Sequence, residues 1–321
     1  MRVELEKTVN FSIFCVLFAG FAFSINDIAI KYFADLMPLH EVVLFRSIIA
    51  LTITLAFFLP FEGGWKALKT RRPGMHILGG FCLVIANLTF FSGLATIPLA
   101  DCSAIFFIAP LLITAMSAIL FKEKVGKRRW LALVVGMLGV LLIIKPGALT
   151  FEWALLLPLV AAFTYSLKNI ITRDMGLRET AVTMSFYLHM TFIAACLIMG
   201  LIFGDGKFSG NGNAATEFIF RAWVWPTWEM TLFIFVAGVA SSFGGYFISQ
   251  AYRRSSASVI APFEYFTLVL AVFWGFVIWE ELPDSISFVG IILIIGSGIF
   301  VGLREHQNNI QPTAKRLSGR R

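Results

Sequence analysis

The sequence predicts an all-α integral membrane protein with ten transmembrane helices in two inverted five-helix repeats. The first observation is composition: of 321 residues, 58% are hydrophobic and 14% are charged, whereas soluble domains carry roughly a quarter charged residues. The second is that apolar runs long enough to cross ~30 Å of hydrocarbon recur along the chain. The third is that landmarks in the first half of the chain reappear, in order, in the second.

The apolar runs give the helices directly. The first run is predicted to be a retained spanning helix, because Met1–Asn10 shows no small-residue cleavage site behind a short apolar core. The predicted spans are 9–34, 41–60, 75–96, 100–121, 130–145, 151–172, 180–203, 229–251, 257–279 and 285–303.

Basic residues set the predicted orientation. The net charge of +7 comes largely from Lys and Arg grouped in alternate connections and in the tail "AKRLSGRR", which is the pattern of cytoplasmic loops. We therefore predict cytoplasmic N- and C-termini in the cell inner membrane. The basic groups are expected to meet lipid headgroups, and no nucleic-acid partner is expected.

The two halves of the chain resemble each other. "SINDIAIK" (Ser24–Lys31) aligns with "SLKNIITR" (Ser166–Arg173), and Glu123 and Gly139 align with Glu280 and Gly296. A unit of five helices, an odd number, places the second copy upside down, the arrangement of many alternating-access transporters. The predicted units are a first repeat at 1–148, a second at 149–303 and a basic cytoplasmic tail at 304–321.

Several longer stretches resemble a known family. They are "SINDIAIKYFADLMPLHEVVLFRS", "LATIPLADCSAIFFIAPLLITAMSAILFKEKVGKRRW", "GMLGVLLIIKPG", "QAYRRSSASVIAPFEY" and "WEELPDSISFVGIILIIGSGIFVG". Together they resemble ten-helix transporters of the EamA type in the drug/metabolite transporter superfamily. Pro110 and Glu123 fit the family pattern, but Thr267 stands where the second proline would fall. That variant resembles a subgroup including uptake carriers for S-adenosylmethionine and similar metabolites. The resemblance implies a central cavity built mainly from helices 1, 3, 4, 6, 8 and 9.

Charged residues inside the apolar runs are the main candidate site residues, because intramembrane charges are costly and usually functional. We expect Asp27 to cluster with Arg46 or Lys31 in the outer half, and Glu264 with Lys168 in the inner half. The alternative is that these are static ion pairs that fix helix register. The substrate-binding or coupling candidates are Asn26, Asp27, Arg46, Asn87, Tyr165, Lys168, Asn169, Tyr246, Gln250, Glu264 and Tyr265.

Other features bear on packing. Pro110, Pro158 and Pro262 are expected to interrupt helices within the membrane. Glycines such as Gly136 and Gly139 suit close helix contact, either within one chain or at the seam of a homodimer. The external loop 204–227 contains "RAWVWPTW", typical of an interfacial aromatic belt, with a substrate lid as the alternative.

The predicted function is secondary-active transport of a small polar organic metabolite by alternating access. The residues favour an amino acid, an amine or a zwitterionic derivative, with protons or a counter-substrate supplying the driving force. Neither GxSxG nor HExxH occurs, so no enzyme activity is predicted. Scattered Cys and His residues give no metal or cofactor motif. A membrane-embedded enzyme and a non-transporting receptor or scaffold stay as alternatives, and the sequence does not set substrate identity or direction.

Overall fold

The computed structural model describes residues 2–120, 127–145, 153–175, 179–210, 214–255 and 257–307. These residues are almost entirely helical and contain no strand. The predicted landmark Glu123 and most of the basic tail lie outside them. The helices are α1 (Arg2–Phe33), α2 (Leu39–Ile53, prolonged by π and 3-10 turns to Glu62), α3 (Pro73–Leu94), α4 (Leu99–Phe106), α5 (Ala109–Leu120), α6 (Lys127–Ile144), α7 (Leu157–Met175), α8 (Ala181–Phe203), α9 (Ala214–Phe220), α10 (Trp228–Arg254), α11 (Ala257–Trp279) and α12 (Ser285–Gln307).

The all-α membrane architecture is confirmed. Within the described ranges, six helical spans are long and apolar enough to cross a bilayer, and four shorter apolar helices accompany them. The shorter ones are Leu99–Ile113, Trp130–Ile144, Phe263–Trp279 and Ser285–Phe300. Each of the ten segments overlaps one predicted span. The number of crossings and the side of the termini stay predictions.

The predicted helix at 100–121 is two helices, because the chain turns at Phe107 and Ile108 between α4 and α5. Pro110 cannot donate a backbone hydrogen bond, and its ring crowds the preceding turn. Two side chains from the other half of the chain contact the backbone at the break. Tyr265 Oη donates to Phe107 O at 3.3 Å, and Ser166 Oγ lies 3.1 Å from Ala109 O.

The other two prolines do not interrupt helices as predicted. Pro158 is the second residue of α7, after a 3-10 turn at Trp153–Leu156. At that position the missing N–H has no partner to lose. Pro262 lies within α11, which continues from Ala257 to Trp279. It removes one backbone bond near the start of the helix and leaves the helix unbroken.

The contacts between helices follow the symmetry of an inverted repeat. If α1, α2, α3, α4–α5 and α6 correspond to α7, α8, α10, α11 and α12, the most extensive contacts between the halves have counterparts. The α1–α10 contact matches α7–α3, the α2–α10 contact matches α8–α3, and α1–α11 matches α7–α5. Three further contacts, α2–α8, α4–α11 and α6–α12, join equivalent helices to each other. The two halves therefore interleave around a shared centre.

The predicted close packing at glycines occurs within the chain, between α6 and α12. A Cβ atom added at Gly139 would lie 2.7 Å from Gly290 O, and one added at Gly290 would lie 2.6 Å from Gly139 O. Both distances are shorter than van der Waals contact, and the obstacle is backbone that cannot rotate away. Gly296, farther along α12, faces open space. The two helices approach this closely because both residues lack a side chain.

We expect Gly139→Ala to lower the free energy of unfolding by about 1–3 kcal/mol, because the added methyl group overpacks the α6–α12 contact. Gly296→Ala is the matched control. It should be neutral or slightly stabilising, since alanine is the better helix former by up to about 1 kcal/mol. Melting temperatures of the purified variants in one detergent would compare them. Equal melting temperatures would contradict the close α6–α12 contact.

Asp284 fixes the start of α12. Its Oδ1 accepts the Ser287 backbone N–H at 2.9 Å, and its Oδ2 lies 2.5 Å from Lys145 Nζ at the end of α6. The Lys145 ammonium and the Ser287 hydrogen bonds lower the pKa of Asp284 to about 2. A carboxyl group with a lowered pKa stabilises the fold above its ordinary pKa and loses that contribution as the pH falls.

We expect Asp284→Ala to cost about 1 kcal/mol of stability near neutral pH, the usual value of a lost helix cap. Asp284→Asn should cost less, because asparagine keeps the capping oxygen and loses only the exposed ion pair. The difference between wild type and the alanine variant should shrink as the pH falls through about 4 toward 2. Thermal unfolding measured across that range checks the sign, and a difference that grows in acid would refute it.

Candidate functional site

A cavity of about 200 Å³ lies between the two halves of the chain. Residues from α1, α3, α4, α7, α10 and α11 line it, as predicted, and α2 and α8 contribute as well. The predicted site residues among the lining are Asn26, Asp27, Arg46, Asn87, Tyr165, Lys168 and Glu264. The helices that line the cavity are also those that join the halves, so movement of one half against the other would reshape it.

One wall of the cavity carries a chain of polar contacts, here called the Arg46 cluster: Asn26, Asp27, Arg46 and Asn87. Arg46 Nη1 donates to Asn26 Oδ1 at 2.8 Å, and Arg46 Nη2 lies 3.5 Å from Asn87 Oδ1. Asn26 Nδ2 donates to Asp27 Oδ1 at 3.1 Å. Asn26 therefore stands between the cation and the carboxylate and couples them without direct contact.

The Arg46 guanidinium has no direct counter-ion among the described residues. Arg46 is 3% exposed, no carboxylate oxygen lies within 4.0 Å of it, and its Nε has no hydrogen-bond partner. The Phe192 ring lies 5.7 Å from its Cζ, and His189 is buried nearby with both ring nitrogens unpartnered. A buried cation without a carboxylate is costly. The arrangement suits a pathway that brings an anionic group to Arg46.

A second group of polar residues, here called the Glu264 cluster, comprises Tyr165, Lys168, Tyr252 and Glu264. Tyr252 Oη donates to Glu264 Oε1. Lys168 Nζ lies 3.4 Å from Asn169 Oδ1 and 6.0 Å from the centroid of the Tyr165 ring. Lys168 and Glu264 both line the cavity, but in the described chain they form no ion pair within 4.0 Å. Lys168 and Glu264, which were predicted to cluster, thus face the same space without forming a direct ion pair.

Aromatic rings from different helices form another part of the cavity wall. The Phe106 ring lies 5.2 Å from Phe90 and 5.1 Å from Tyr165, measured between centroids. Phe107 also lines the cavity and lies 5.7 Å from Tyr265. The turn after Phe106 places these rings, because the α4–α5 break falls where the cavity is formed. The cavity thus combines charged clusters with flat apolar surfaces.

Four of the predicted site residues do not line this cavity. Asn169 is buried behind Lys168, and Tyr265 Oη is bonded to the Phe107 carbonyl freed by the helix break. Tyr246 and Gln250 instead hold Glu62. Tyr246 Oη donates to Glu62 Oε1 at 3.0 Å, and Gln250 Nε2 contacts the same oxygen.

Glu62 was not identified from the sequence, because it follows an apolar run and resembles an ordinary loop acid. Its partners come from α10 and from the backbone N–H of Val182. An acid at the end of α2 that takes two side chains from α10 ties the two halves together at that end. Tyr246 and Gln250 therefore serve this junction rather than the cavity.

Lys31 does not join Asp27, so the expected alternative of an Asp27–Lys31 cluster is wrong. Lys31 Nζ lies 2.5 Å from Glu281 Oε2 and 4.6 Å from the centroid of the Trp279 ring. Glu281 Oε2 also accepts the Leu99 backbone N–H at 3.3 Å. One carboxylate thus connects the end of α1, the start of α4 and the α11–α12 connection.

The loop predicted at 204–227 contains α9 and is bonded to the α1–α2 region. Trp223 Nε1 donates to His40 Nε2 at 2.6 Å, Val224 N donates to Glu41 Oε2 at 3.1 Å, and Arg221 Nη1 donates to Ala34 O at 3.0 Å. Trp225 is 90% exposed, as in an interfacial belt. Trp223 differs from that expectation, since it is held by protein.

Two repeats with a polar cavity between them in an apolar bundle are the architecture of a membrane carrier. A model of the EamA-like transporter family matches residues 10–145 and 152–303. The chain therefore belongs to the EamA-like transporter family, and it is a multi-pass inner-membrane protein.

The relatives that the chain resembles are transporters. An S-adenosylmethionine uptake transporter of Rickettsia prowazekii is 26% identical over 87% of each chain. The pseudopaline exporter CntI of Pseudomonas aeruginosa is 26% identical, covering 92% of this chain and 96% of its own. A solved crystal structure with 18% identity has a TM-score of 0.67 over 93% of this chain and 98% of that one, which shows the fold alone. The protein is thus a small-molecule transporter, and the names of its family and relatives are those of transporters rather than enzymes.

We expect Lys31→Met to lower the free energy of unfolding by about 1–3 kcal/mol, because it leaves the partly buried Glu281 carboxylate without its cation. The Lys31 side chain is 9% exposed and that of Glu281 is 30% exposed. Lys207→Met is the matched control, since the Lys207 side chain is 77% exposed in its pair with Asp205. Such a surface pair contributes about 0–1 kcal/mol. Thermal unfolding compares the two variants, and equal losses would show that the Lys31–Glu281 pair does not hold the helices.

Proposed function

We propose that the protein is a secondary-active transporter that moves a zwitterionic amino acid derivative across the inner membrane by alternating access. The observation that carries this proposal is the Arg46 cluster. One cavity wall presents a guanidinium and a carboxylate that are coupled through Asn26 but are not paired with each other. A zwitterionic head group would supply the missing opposite charge to each of them.

Arg46 is the proposed partner of the substrate carboxylate. A guanidinium offers a planar set of donors that matches a carboxylate, and such pairs are frequently bidentate. Its Nη1 is held by Asn26 and its Nη2 weakly by Asn87, which orients the group and leaves donors for a ligand. Inside a low-dielectric cavity, a charge-assisted contact of this kind gives more selectivity than at a surface.

Asp27 is the proposed partner of the substrate ammonium. It lies next to Asn26 in the cavity lining, and one of its oxygens is occupied by Asn26 Nδ2. An ionised carboxylate can accept further hydrogen bonds. An amino acid carries its ammonium and carboxylate groups on one carbon, so its two charges lie a short distance apart. Arg46 and Asp27 are likewise separated only by Asn26. The alternative reading, static charges that fix helix register, requires no ligand at either group.

The relatives support this substrate class and leave direction to experiment. S-adenosylmethionine, the molecule named for the Rickettsia relative, carries an amino acid head group. The Pseudomonas relative is named as an exporter, so relatives with opposite named directions share this architecture. A carrier follows the gradients available to it, and a proton or counter-substrate gradient is the proposed driving force here.

Alternating access requires junctions that can open at each end of the cavity. At one end, Lys31 and Glu281 join α1 to the α11–α12 connection. At the other, Thr70 Oγ1 donates to Glu179 Oε1 at 2.8 Å, and Arg72 pairs with Asp174 at 3.1 Å. Each junction bridges the two halves with polar groups rather than apolar packing. We propose that they break in turn as the halves rock about the central cavity.

We expect S-adenosylmethionine to raise the melting temperature of the purified protein, since a ligand at 100 times its dissociation constant adds roughly 2.7 kcal/mol of stability. Arg46→Met and Asp27→Asn should each weaken that binding by at least about tenfold, because each leaves one ligand charge buried and unpaired. Lys207→Met and Glu229→Gln, at exposed positions, are the matched controls and should bind as the wild type does.

The same titration with methionine, with other amino acids and with simple amines tests the proposed class more broadly. If amines bind without needing a carboxylate, the substrate class would be a cation instead of a zwitterion. Unchanged binding in both cavity variants would show that Arg46 and Asp27 have a structural role and do not bind the substrate. Uptake into proteoliposomes, with and without an imposed pH gradient, then separates proton coupling from exchange against a preloaded substrate.

A further inference from the structure

We infer that the Glu264 cluster is a second subsite of the same cavity, which binds a hydrogen-bonding aromatic heterocycle attached to the substrate. This inference rests on the proposed function, in which the amino acid end of the substrate meets Arg46 and Asp27. It adds the chemistry of the other end. The substrate class becomes an amino acid joined to a nitrogen heterocycle such as a purine.

The Glu264 cluster contains both a hydrogen-bond acceptor and a hydrogen-bond donor, as the edge of a nitrogen heterocycle requires. A purine presents an exocyclic amine that donates and ring nitrogens that accept. Glu264 can only accept when ionised, and the Lys168 ammonium can only donate. They come from α11 and α7, and both line the cavity. Because they do not pair with each other within 4.0 Å, a ligand can lie between them.

The Glu264 carboxylate is held in place rather than free to rotate. Tyr252, on α10, donates its hydroxyl hydrogen to Glu264 Oε1. A carboxylate has about four acceptor positions, so this contact fixes the orientation of the group without exhausting it. Glu264 is 8% exposed, and a hydrogen bond to it would form away from bulk water. Such a group discriminates strongly against ligands that lack the matching donor.

The rings beside the cluster provide the stacking surface that a heterocycle needs. Tyr165 belongs to the cluster itself, and Phe106 lies 5.1 Å from it between centroids. Phe107 also lines the cavity. Bases stack on aromatic side chains with a contribution large enough to be measured for each base. An aliphatic tail would use the apolar surface but would offer no hydrogen bond to Lys168 or Glu264.

The two repeats place different side chains at the two ends of the cavity. In the alignment of the halves, Asn26 and Asp27 correspond to Lys168 and Asn169, and Phe23 corresponds to Tyr165. The first half therefore places a carboxylate and the second half an ammonium at neighbouring positions of equivalent helices. Each cluster still contains one cation and one carboxylate. The clusters differ in their supporting groups, because the amides of Asn26 and Asn87 contact Arg46, whereas the phenols of Tyr252 and Tyr165 lie beside Glu264 and Lys168. The aromatic end suits a ring, so the two ends suit a ligand whose own ends differ.

Fragments of such a ligand test the inference directly. Methionine represents the amino acid end and 5′-methylthioadenosine represents the heterocyclic end, and each is titrated against wild type by isothermal calorimetry. We expect both to bind. Glu264→Gln and Phe106→Leu should weaken 5′-methylthioadenosine by at least about tenfold, while methionine binding changes by less than about twofold, because the two subsites are separate. Arg46→Met should show the reverse pattern.

Phe163→Leu, on the exposed face of α7, is the matched control for Phe106→Leu and should bind both fragments normally. If Glu264→Gln does not fold, as judged by its melting temperature, Lys168→Met and Phe106→Leu carry the test. Equal weakening of both fragments by the Glu264-cluster variants would overturn a separate subsite.

The outcomes also separate this inference from the proposed function. Methionine binding without any 5′-methylthioadenosine binding would overturn the heterocycle subsite and leave the amino acid site standing. Binding of 5′-methylthioadenosine that depends on Glu264, with no methionine binding, would overturn the amino acid site and keep the subsite. Failure of wild type to bind either fragment would overturn both.

Discussion

The structure depends on one constraint: a charged side chain within a bilayer must meet protein or enclosed water, never lipid. Arg46 shows how strictly the constraint acts. It is 3% exposed and is connected to Asp27 only through Asn26. The hydrogen bond to Asn26 orients the guanidinium, but no carboxylate among the described residues directly neutralises its charge. Helices from both halves must surround such a group. The interleaved contacts of the inverted repeats provide those helices and enclose the cavity at the same time.

The break between α4 and α5 is a second consequence of membrane burial. The Phe107 carbonyl, freed by the turn before Pro110, cannot be left to lipid, and it accepts a hydrogen bond from Tyr265 in the other half of the chain. The same turn sets Phe106 and Phe107 against the cavity. A local helix defect in one repeat is therefore completed by side chains of the other. This mutual completion explains why the cavity belongs to neither half alone.

The sequence predicted the helices and the charged residues of the cavity lining well, because both follow from local patterns. Apolar runs set the helices, and the cost of intramembrane charge singled out Asp27, Arg46, Lys168 and Glu264, all of which line the cavity. The partners could not be predicted, since they depend on crossings between helices far apart in sequence. Lys31 pairs with Glu281, 250 positions away, and Tyr246 and Gln250 form hydrogen bonds to Glu62. A contact of that range leaves no periodicity in the chain.

The wrong predictions share a physical origin that bears on mechanism. Tyr246 and Gln250 were expected to serve a ligand and Lys31 to join Asp27, and all three instead bridge the halves at the two ends of the cavity. In the proposed mechanism, polar residues lie either at the centre, where a substrate supplies the missing partners, or at the ends, where protein partners are exchanged. An apolar junction would be stable but would have no reason to open. A polar junction loses less when water enters, because the separated groups can be hydrated. The same scarcity of polar residues therefore supplies both recognition at the centre and reversibility at the ends.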